Sequence, residues 1–372
     1  MPAIVTIIAG LIAALLLFWR HPALRKISDT NEGTGQTETA ALPPKISVII
    51  PSRNEEYNLQ NILSDLQNQD LPAYEIICVD DASEDRTAEV IGAFGVQYVA
   101  VISKPDGWVG KSWACQAGAD RASGELLLFM DADVRLDASA LRKLAGTYAA
   151  NRGVISVQPF HQVIRIYEHL SFFFSLVLLA ANGIGFPFGR RNIGLFGPVI
   201  LVSREDYMRI EGHYPAKNSI VDDLAMGEAF KRKGIRLSLY MGGPDISFRM
   251  YSGGFAELCQ GWIKNFASGA FRTPAYLILF IILWFGACTE VVISFIRTLT
   301  QESLPITAAG ACLYLAWAVF LWLISRRVGS FGLGAAMLYP FLLVFFVILL
   351  LVSLFKKVFG RTVTWKGRKI QM

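Results

Sequence analysis

The sequence predicts an α/β domain on a mostly parallel sheet, with transmembrane helices at both ends of the chain. Three observations carry that reading. Between residues 46 and 150, short apolar runs alternate with helical patterns of about ten residues or more, the signature of right-handed βαβ units. Acidic clusters stand immediately after those runs, at the strand ends where open α/β sheets bind ligands. The chain is 53% hydrophobic with a mean hydropathy of +0.42, too apolar for an ordinary soluble protein of 372 residues.

Residues 4–19 are apolar and are followed by Arg20, His21, Arg25 and Lys26. The run is near the lower limit of about 17 residues for a membrane span. A cleaved signal peptide, the alternative, carries its charges before the apolar core rather than after it. Residues 1–26 are therefore expected to form an uncleaved anchor with its basic flank inside. Residues 27–44 (ISDTNEGTGQTETAALPP) are polar and Gly/Thr-rich, which suits a flexible tether. The α/β domain is expected over residues 45–271. Its strands read as 46–50, 75–79, 96–102, 126–130 and 195–203. Its helices read as 55–68, 83–94, 111–122, 138–150, a short 204–210, and one opening at Asp222 and stopping at Gly234.

The chain is organised around residues 124–135, GELLLFMDADVR. An apolar run of buried-strand length ends abruptly in Asp131, Ala132 and Asp133. Alternation places Asp131 and Asp133 on one side of the extended chain and Ala132 on the other. Two carboxylates that close repel unless a cation lies between them. Mg²⁺ and Mn²⁺ prefer oxygen ligands, and such ions bridge carboxylates to substrate phosphates. An acidic loop in water is the plainer reading of one such triplet. Two further clusters at equivalent strand ends, Arg53-Asn54-Glu55 and Asp80-Asp81, are expected to converge with it on one crevice.

This order of motifs resembles the family-2 glycosyltransferases, whose fold is the Rossmann-like GT-A fold. The matching residues are IPSRNEE (50–56), VDDASEDRT (79–87), DADV (131–134) and VDDLAMGEAFKRKG (221–234), and the likeness covers residues 45–268. The resemblance implies a nucleotide-sugar donor. It places Pro51, Arg53, Asn54 and Glu55 with Asp80 and Asp81 around the nucleoside. It places Asp131 and Asp133 at the diphosphate and its Mg²⁺ or Mn²⁺. It implies Asp223 as the general base of an inverting displacement, beside Asp222, which stands where the family pattern has Glu. A simple helix-start role for both aspartates is the alternative.

Residues 104–112 read KPDGWVGKS, without the upstream glycine that a P-loop needs at fixed spacing. Similar enzymes carry a Gly-rich stretch with a lysine here. Lys111 is thus a donor-phosphate contact or, equally, a solvated lysine at a helix start. Processive relatives carry Q-x-x-R-W where this chain has Gln260, Trp262 and Lys264 in altered order. That departure favours transfer of one sugar over polymer synthesis. These three residues are expected to line the acceptor or diphosphate site, with interfacial anchoring as the alternative.

Residues 163–188 include SFFFSLVLLAANGIGFPF. A crossing there would separate Asp131 from Asp223, so this stretch is expected at the membrane interface, against an apolar acceptor, or buried in the core. Within residues 272–355, segments 273–296, 305–325 and 331–355 are each long enough to span. Glu290 within the first is a functional candidate or an outer-interface residue. The tail, 356–372, carries Lys356, Lys357, Arg361, Lys366, Arg368 and Lys369. Three crossings would put that tail outside, against the positive-inside rule. One segment is therefore expected to be re-entrant or interfacial, and the tail cytoplasmic.

The net charge of +5 lies largely beside apolar segments, which suits anionic headgroups. No basic–aromatic pattern or zinc spacing points to nucleic acid. The five cysteines are unpatterned, which reads as reduced thiols and a cytoplasmic catalytic domain at the cell membrane. The PDGWVGK and WKGR stretches resemble those of carotenoid-acid (diaponeurosporenoate) glucosyltransferases, with ceramide- and hopanoid-type lipid transferases close behind. The expected function is transfer of a hexose from a nucleotide-diphosphate sugar, UDP-glucose first, to a lipid acceptor such as a carotenoid acid. A polysaccharide synthase of the same fold, a glycosidase and a non-catalytic membrane scaffold are the rivals. Nothing in the sequence bears on oligomeric state.

Overall fold

The computed structural model describes residues 1–24, 44–188, 194–219, 221–270, 272–301, 303–360, 362–365 and 368–371. Nearly all of the expected tether, together with Arg25 and Lys26, lies outside the described residues. The chain divides into two units. One, the sheet unit, comprises Ala23–Pro159 and Gly194–Phe248; the other, the helical unit, comprises Met1–Pro22, Phe160–Ile193 and Arg249–Met372.

Helix α1 (Pro2–Leu17) opens the helical unit. The sheet unit then alternates β1 (Ile46–Ser52), α2 (Glu56–Gln67), β2 (Glu75–Asp80), α3 (Thr87–Ala93), β3 (Gln97–Ala100), α4 (Gly110–Arg121) and β4 (Leu126–Met130). It continues with β5 (Val134–Leu136), α5 (Ala140–Asn151) and β6 (Val154–Gln158). After β7 (Phe160–His161) and α6 (Phe172–Asn182) in the helical unit, it resumes with β8 (Val199–Ser203), α7 (Arg204–Arg209), α8 (Asp222–Arg232), β9 (Leu237–Met241) and β10 (Ile246–Phe248).

Seven strands form one sheet in the order β3-β2-β1-β4-β8-β6-β9. Pairs β1–β2, β1–β4, β2–β3 and β6–β9 are parallel, and β8 runs antiparallel to β4 and β6. The expected strand at 96–102 is shorter, Gln97–Ala100, because it is an edge strand with an exposed outer face. Strands β6 and β9 were not anticipated. Every residue of β4 is buried, as a strand covered on both faces requires.

Alternation along β1 and β4 divides the core. Val48, Ile50, Leu128 and Met130 join Leu59, Leu63, Leu141 and Leu144 of α2 and α5 in one cluster. Each such side chain contributes about 1.5–3 kcal/mol by leaving water. On the opposite face α4 packs on β1 and β2. Its approach depends on Gly118, where a Cβ would lie 2.5 Å from Ile49 Cγ2 and 2.9 Å from Val79 Cγ2.

The helical unit adds α9 (Phe255–Ala270), α10 (Ala275–Leu299), α11 (Leu304–Ser325), α12 (Leu333–Met337) and α13 (Tyr339–Val358), then a small hairpin, β11 (Thr362–Trp365) with β12 (Arg368–Gln371). Helices α10, α11 and α13 are long and apolar enough to cross a membrane. Helix α1 lies against α10 at Gly10, where an added Cβ would lie 2.2 Å from Ala287 Cβ. The expected single segment 331–355 is interrupted at Leu338, and α13 restarts with Pro340 in its first turn, the helix position where proline is tolerated. Residues of the apolar stretch 163–188 are packed inward: Phe172, Phe173, Phe174 and Leu176 are each 0% exposed.

Gly118→Val should destabilise the sheet unit by about 1–3 kcal/mol, the usual cost of overpacking. Thermal melting of the purified protein reads this as a lower midpoint. An unchanged midpoint would contradict the close α4–sheet contact.

Candidate functional site

The carboxyl ends of β1, β2 and β4 lie side by side in the sheet. The turns after β1 and β2 are stitched together. Arg53 Nη1 donates to the carbonyls of Asp81 (2.7 Å) and Ala82 (2.8 Å). The Asn54 N–H donates to Ser83 Oγ at 3.0 Å, and Asn54 Oδ1 accepts from the Glu84 N–H at 2.9 Å. The Glu55 N–H donates to Thr87 Oγ1 at 2.9 Å. Asn54 (φ 52°) and Ala82 (φ 51°) both adopt the left-handed region, uncommon for residues with a side chain. The cross-turn bonds hold them there. Asp80 and Asp81 are 6% and 7% exposed. Asp80 accepts from the Ser83 N–H at 3.0 Å and from Tyr98 Oη at 3.1 Å, while the Asp81 N–H donates to Ser52 O at 2.9 Å. Pro51 pairs with Val79 within the sheet.

A second cluster surrounds the end of β4. Lys111 Nζ, one residue into α4, lies 2.6 Å from Asp131 Oδ1. Burial opposes the charge on Lys111, but Asp131 and Asp222 outweigh it and hold the ammonium protonated well above the ordinary lysine range. Asp223 behaves in the opposite way. Burial, reinforced by the charge of Asp222, pushes its carboxyl up to about 7, against the opposing pull of Lys111 and of two N–H donors. Those donors are Gly197 N–H to Oδ2 at 3.1 Å and Leu224 N–H to Oδ1 at 2.8 Å.

The segment from Gly194 to Pro198 ties the two aspartates together. Its Pro198 carbonyl accepts from the Asp131 N–H at 2.9 Å, and its Gly197 N–H holds Asp223. Glycine is required where α8 meets it: a Cβ on Gly227 would lie 2.8 Å from Gly194 Cα, and one on Gly194 would lie 2.5 Å from Leu224 Cδ2. The amino end of α4 is fixed from the other side. The Val109 N–H donates to Lys217 O at 2.6 Å, and Ser112 Oγ to Ala216 O at 3.1 Å. Beneath them His213 is buried, bonded through Nδ1 to Tyr207 Oη at 2.8 Å. Burial drives His213 down to about 4, so it is neutral at physiological pH.

Asp131 and Asp133 stand on the short turn between β4 and β5. Among the described residues no cluster of three His, Cys, Asp or Glu side chains is placed to enclose a metal. Two carboxylates without nitrogen or sulfur ligands fit a hard cation that takes its other oxygens from phosphate and water.

The structure therefore brings Lys111, Asp131, Asp222 and Asp223 together, with Asp133 two residues from Asp131. It gathers Pro51, Arg53, Asn54, Glu55, Asp80 and Asp81 in the adjoining turns. Gln260, Trp262 and Lys264 lie on α9 in the helical unit. There Trp262 is 2% exposed, stacks on Phe174 at 4.8 Å and gives its indole N–H to Ser171 Oγ at 3.1 Å. Sequence reasoning placed residues 195–198 in a strand that begins only at Val199, and it missed His213 and Tyr98. Glycines at 194, 197 and 227 were the available signal.

Residues 47–171 match the model of glycosyl transferase family 2. The chain is 34% identical over 334 residues to a 4,4'-diaponeurosporenoate glycosyltransferase of Staphylococcus haemolyticus, covering 88% of each chain. It is 33% identical over 330 residues to the enzyme of that name from Staphylococcus aureus, covering 87% of this chain and 88% of the other. The chain belongs to the family-2 glycosyltransferases, and is an enzyme of that class. In fold it is similar to a mannosyltransferase of Pyrobaculum calidifontis solved with GDP-Man and Mn²⁺. That similarity has a TM-score of 0.50 at 20% identity, covering 90% of this chain and 96% of that one.

The raised Asp223 carboxyl has a consequence for stability. Between its ordinary value of 3.8 and about 7, the folded protein binds a proton that the unfolded chain does not. This group's contribution is therefore full below about pH 4 and lost as pH rises through about 7. Without divalent ions, melting at pH 5 and pH 8 should show a smaller fall in midpoint for Asp223→Asn than for the parent. Equal falls would contradict the assignment.

Proposed function

We propose that this protein is a metal-dependent, inverting hexosyltransferase of the cell membrane that transfers glucose from UDP-glucose to a lipid carboxylic acid of the carotenoid class. The observation that carries the mechanism is the Lys111–Asp131–Asp222–Asp223 cluster at the sheet's carboxyl edge. The acceptor class is supported by the names of relatives that align with nearly nine-tenths of the chain.

Asp131 and Asp133 would hold Mg²⁺ or Mn²⁺, which when bound neutralises the departing diphosphate. Asp80, Asp81 and the turn at Pro51, Arg53, Asn54 and Glu55 form the nucleoside side of the donor site. Lys111 and Asp131 each keep part of the side chain open to solvent. A phosphate oxygen can therefore reach the ammonium beside Asp131, bringing Lys111 onto the donor. In the reaction the acceptor oxygen attacks the anomeric carbon as the bond to the diphosphate oxygen breaks, and configuration inverts.

A carboxylate acceptor arrives without a proton and needs no base. Asp223, with its carboxyl near 7, is poised for the other case, removing the proton of a hydroxyl acceptor. That observation favours a second reading, transfer to a lipid alcohol such as a ceramide or hopanoid.

Calorimetry with UDP and Mn²⁺ tests the donor site. The parent should bind UDP with Mn²⁺ and lose affinity about tenfold or more without the metal. Asp131→Ala should abolish that dependence; retention of it would sink the metal role. Asp223→Asn should bind UDP normally. It should lose about 10²–10⁴-fold in transfer to an alcohol, the range for a lost general base, and far less in transfer to a carboxylate. Undiminished transfer to an alcohol would remove Asp223 from the chemistry.

A further inference from the structure

Helix α10 serves as a depth gauge for the helical unit. Arg272 precedes its first residue, Ala275. Near that end, Phe186 packs on Tyr276 at 5.4 Å and the Arg20 N–H reaches Gly185 O at 2.8 Å. Helix α11 runs back along α10. Thr307 Oγ1 donates to Thr298 O at 2.9 Å, and Tyr314 lies 5.2 Å from Phe295. At its end Arg327 Nη1 reaches Phe18 O at 3.5 Å. The end of α1, the start of α10 and the end of α11 therefore share one face, which carries Arg20, Arg272, Arg326 and Arg327.

The chain beyond Arg327 does not stay there. Phe331 lies 5.4 Å from Phe172. The Met337 carbonyl then accepts from Tyr314 Oη, partway along α11. Tyr339 stacks on Tyr314 at 5.4 Å and donates to the Cys288 carbonyl at 3.1 Å, midway along α10. Helix α13 thus begins at mid-depth. It then climbs: Phe346 meets Phe285 at 5.4 Å, and Ser353 Oγ donates to Ile263 O. At 1.5 Å per residue, Tyr339 to Lys357 rises about 27 Å, whereas Cys288 lies only about 20 Å from Ala275. The end of α13 therefore passes the start of α10 on the basic face.

We propose that α12 and α13 form a re-entrant hairpin that enters the bilayer from the face bearing Arg20 and Arg327, turns at Leu338, and leaves by the same face. Only α1, α10 and α11 cross. The turn meets the rule that backbone at depth must be satisfied within the protein: Tyr314 caps the Met337 carbonyl, and the Leu338 N–H donates to Gly334 O at 3.1 Å. The outer side of α13, with Phe341 73%, Val344 59% and Leu351 60% exposed, faces acyl chains. Lys356, Lys357 and the β11–β12 hairpin, whose first strand packs on α9, join Arg20, Arg326 and Arg327 on one membrane face. Positive charge marks that face as cytoplasmic.

The test compares the tail with the α10–α11 loop in the full-length chain. The tail is read by C-terminal fusion to green fluorescent protein, bright only inside, or to alkaline phosphatase, active only outside. The loop is read by Gln301→Cys, with Ser303→Cys as a second position, labelled in intact cells by a membrane-impermeant maleimide against the parent chain. The hairpin predicts a bright tail, an inactive phosphatase and a labelled loop cysteine, hence opposite sides. Tail and loop on the same side, whichever side it is, would overturn the hairpin and make α13 a span.

Discussion

Negative charge crowded around one ammonium governs the sheet unit. Asp131, Asp222 and Asp223 converge near Lys111, and Asp133 adds to them on the same turn. The protein answers unequally. Lys111 pairs with Asp131 at 2.6 Å. Asp223, buried beside Asp222, is left holding a proton up to about pH 7. Negative charge stays in excess there, which is the electrostatics that the proposed divalent ion and diphosphate would require. The pairing is partly solvent-exposed, so the ammonium stays within reach of the crevice.

Crowding of that kind needs a rigid frame. The Gly194–Pro198 segment supplies it by accepting from the Asp131 N–H at one end and donating to the Asp223 carboxylate one residue earlier. The absence of side chains at Gly194 and Gly227 lets α8 press against it. On the opposite flank, the bond from Val109 to Lys217 fixes where α4 begins, and so where Lys111 points. The turns after β1 and β2 cross-link through Arg53 and Asn54, whose polar atoms bond to the facing turn.

Much of this frame was legible in the sequence because carboxylates directly after apolar runs are a local signal. Asp131 and Asp80 stand at strand ends because the continuously buried apolar runs before them stop there. The membership of Lys111 and Asp223 in one cluster was a matter of resemblance rather than of local pattern. Contacts between distant segments were not legible. Nothing near Trp262 announces Ser171 as the partner of its indole, and nothing near Gly227 announces Gly194. Strands β6 and β9 are short and pair with each other although residues 159–236 intervene, so no local turn marks them. In the helical unit, residues 331–355 stay apolar throughout. Hydropathy therefore reads one span, and only Pro340 hints that the chain turns at Leu338.

The central claim is a sugar passed from a nucleotide to a lipid under the control of a divalent ion. The most direct measurement supplies radiolabelled UDP-glucose, beside other nucleotide sugars, to membranes containing the protein. Label is then followed into extractable lipid with and without Mn²⁺, before and after mild alkali. The account predicts metal-dependent label in lipid that alkali releases, as a glycosyl ester must be. Label that enters only water-soluble polymer, or lipid labelling indifferent to the divalent ion, would contradict it.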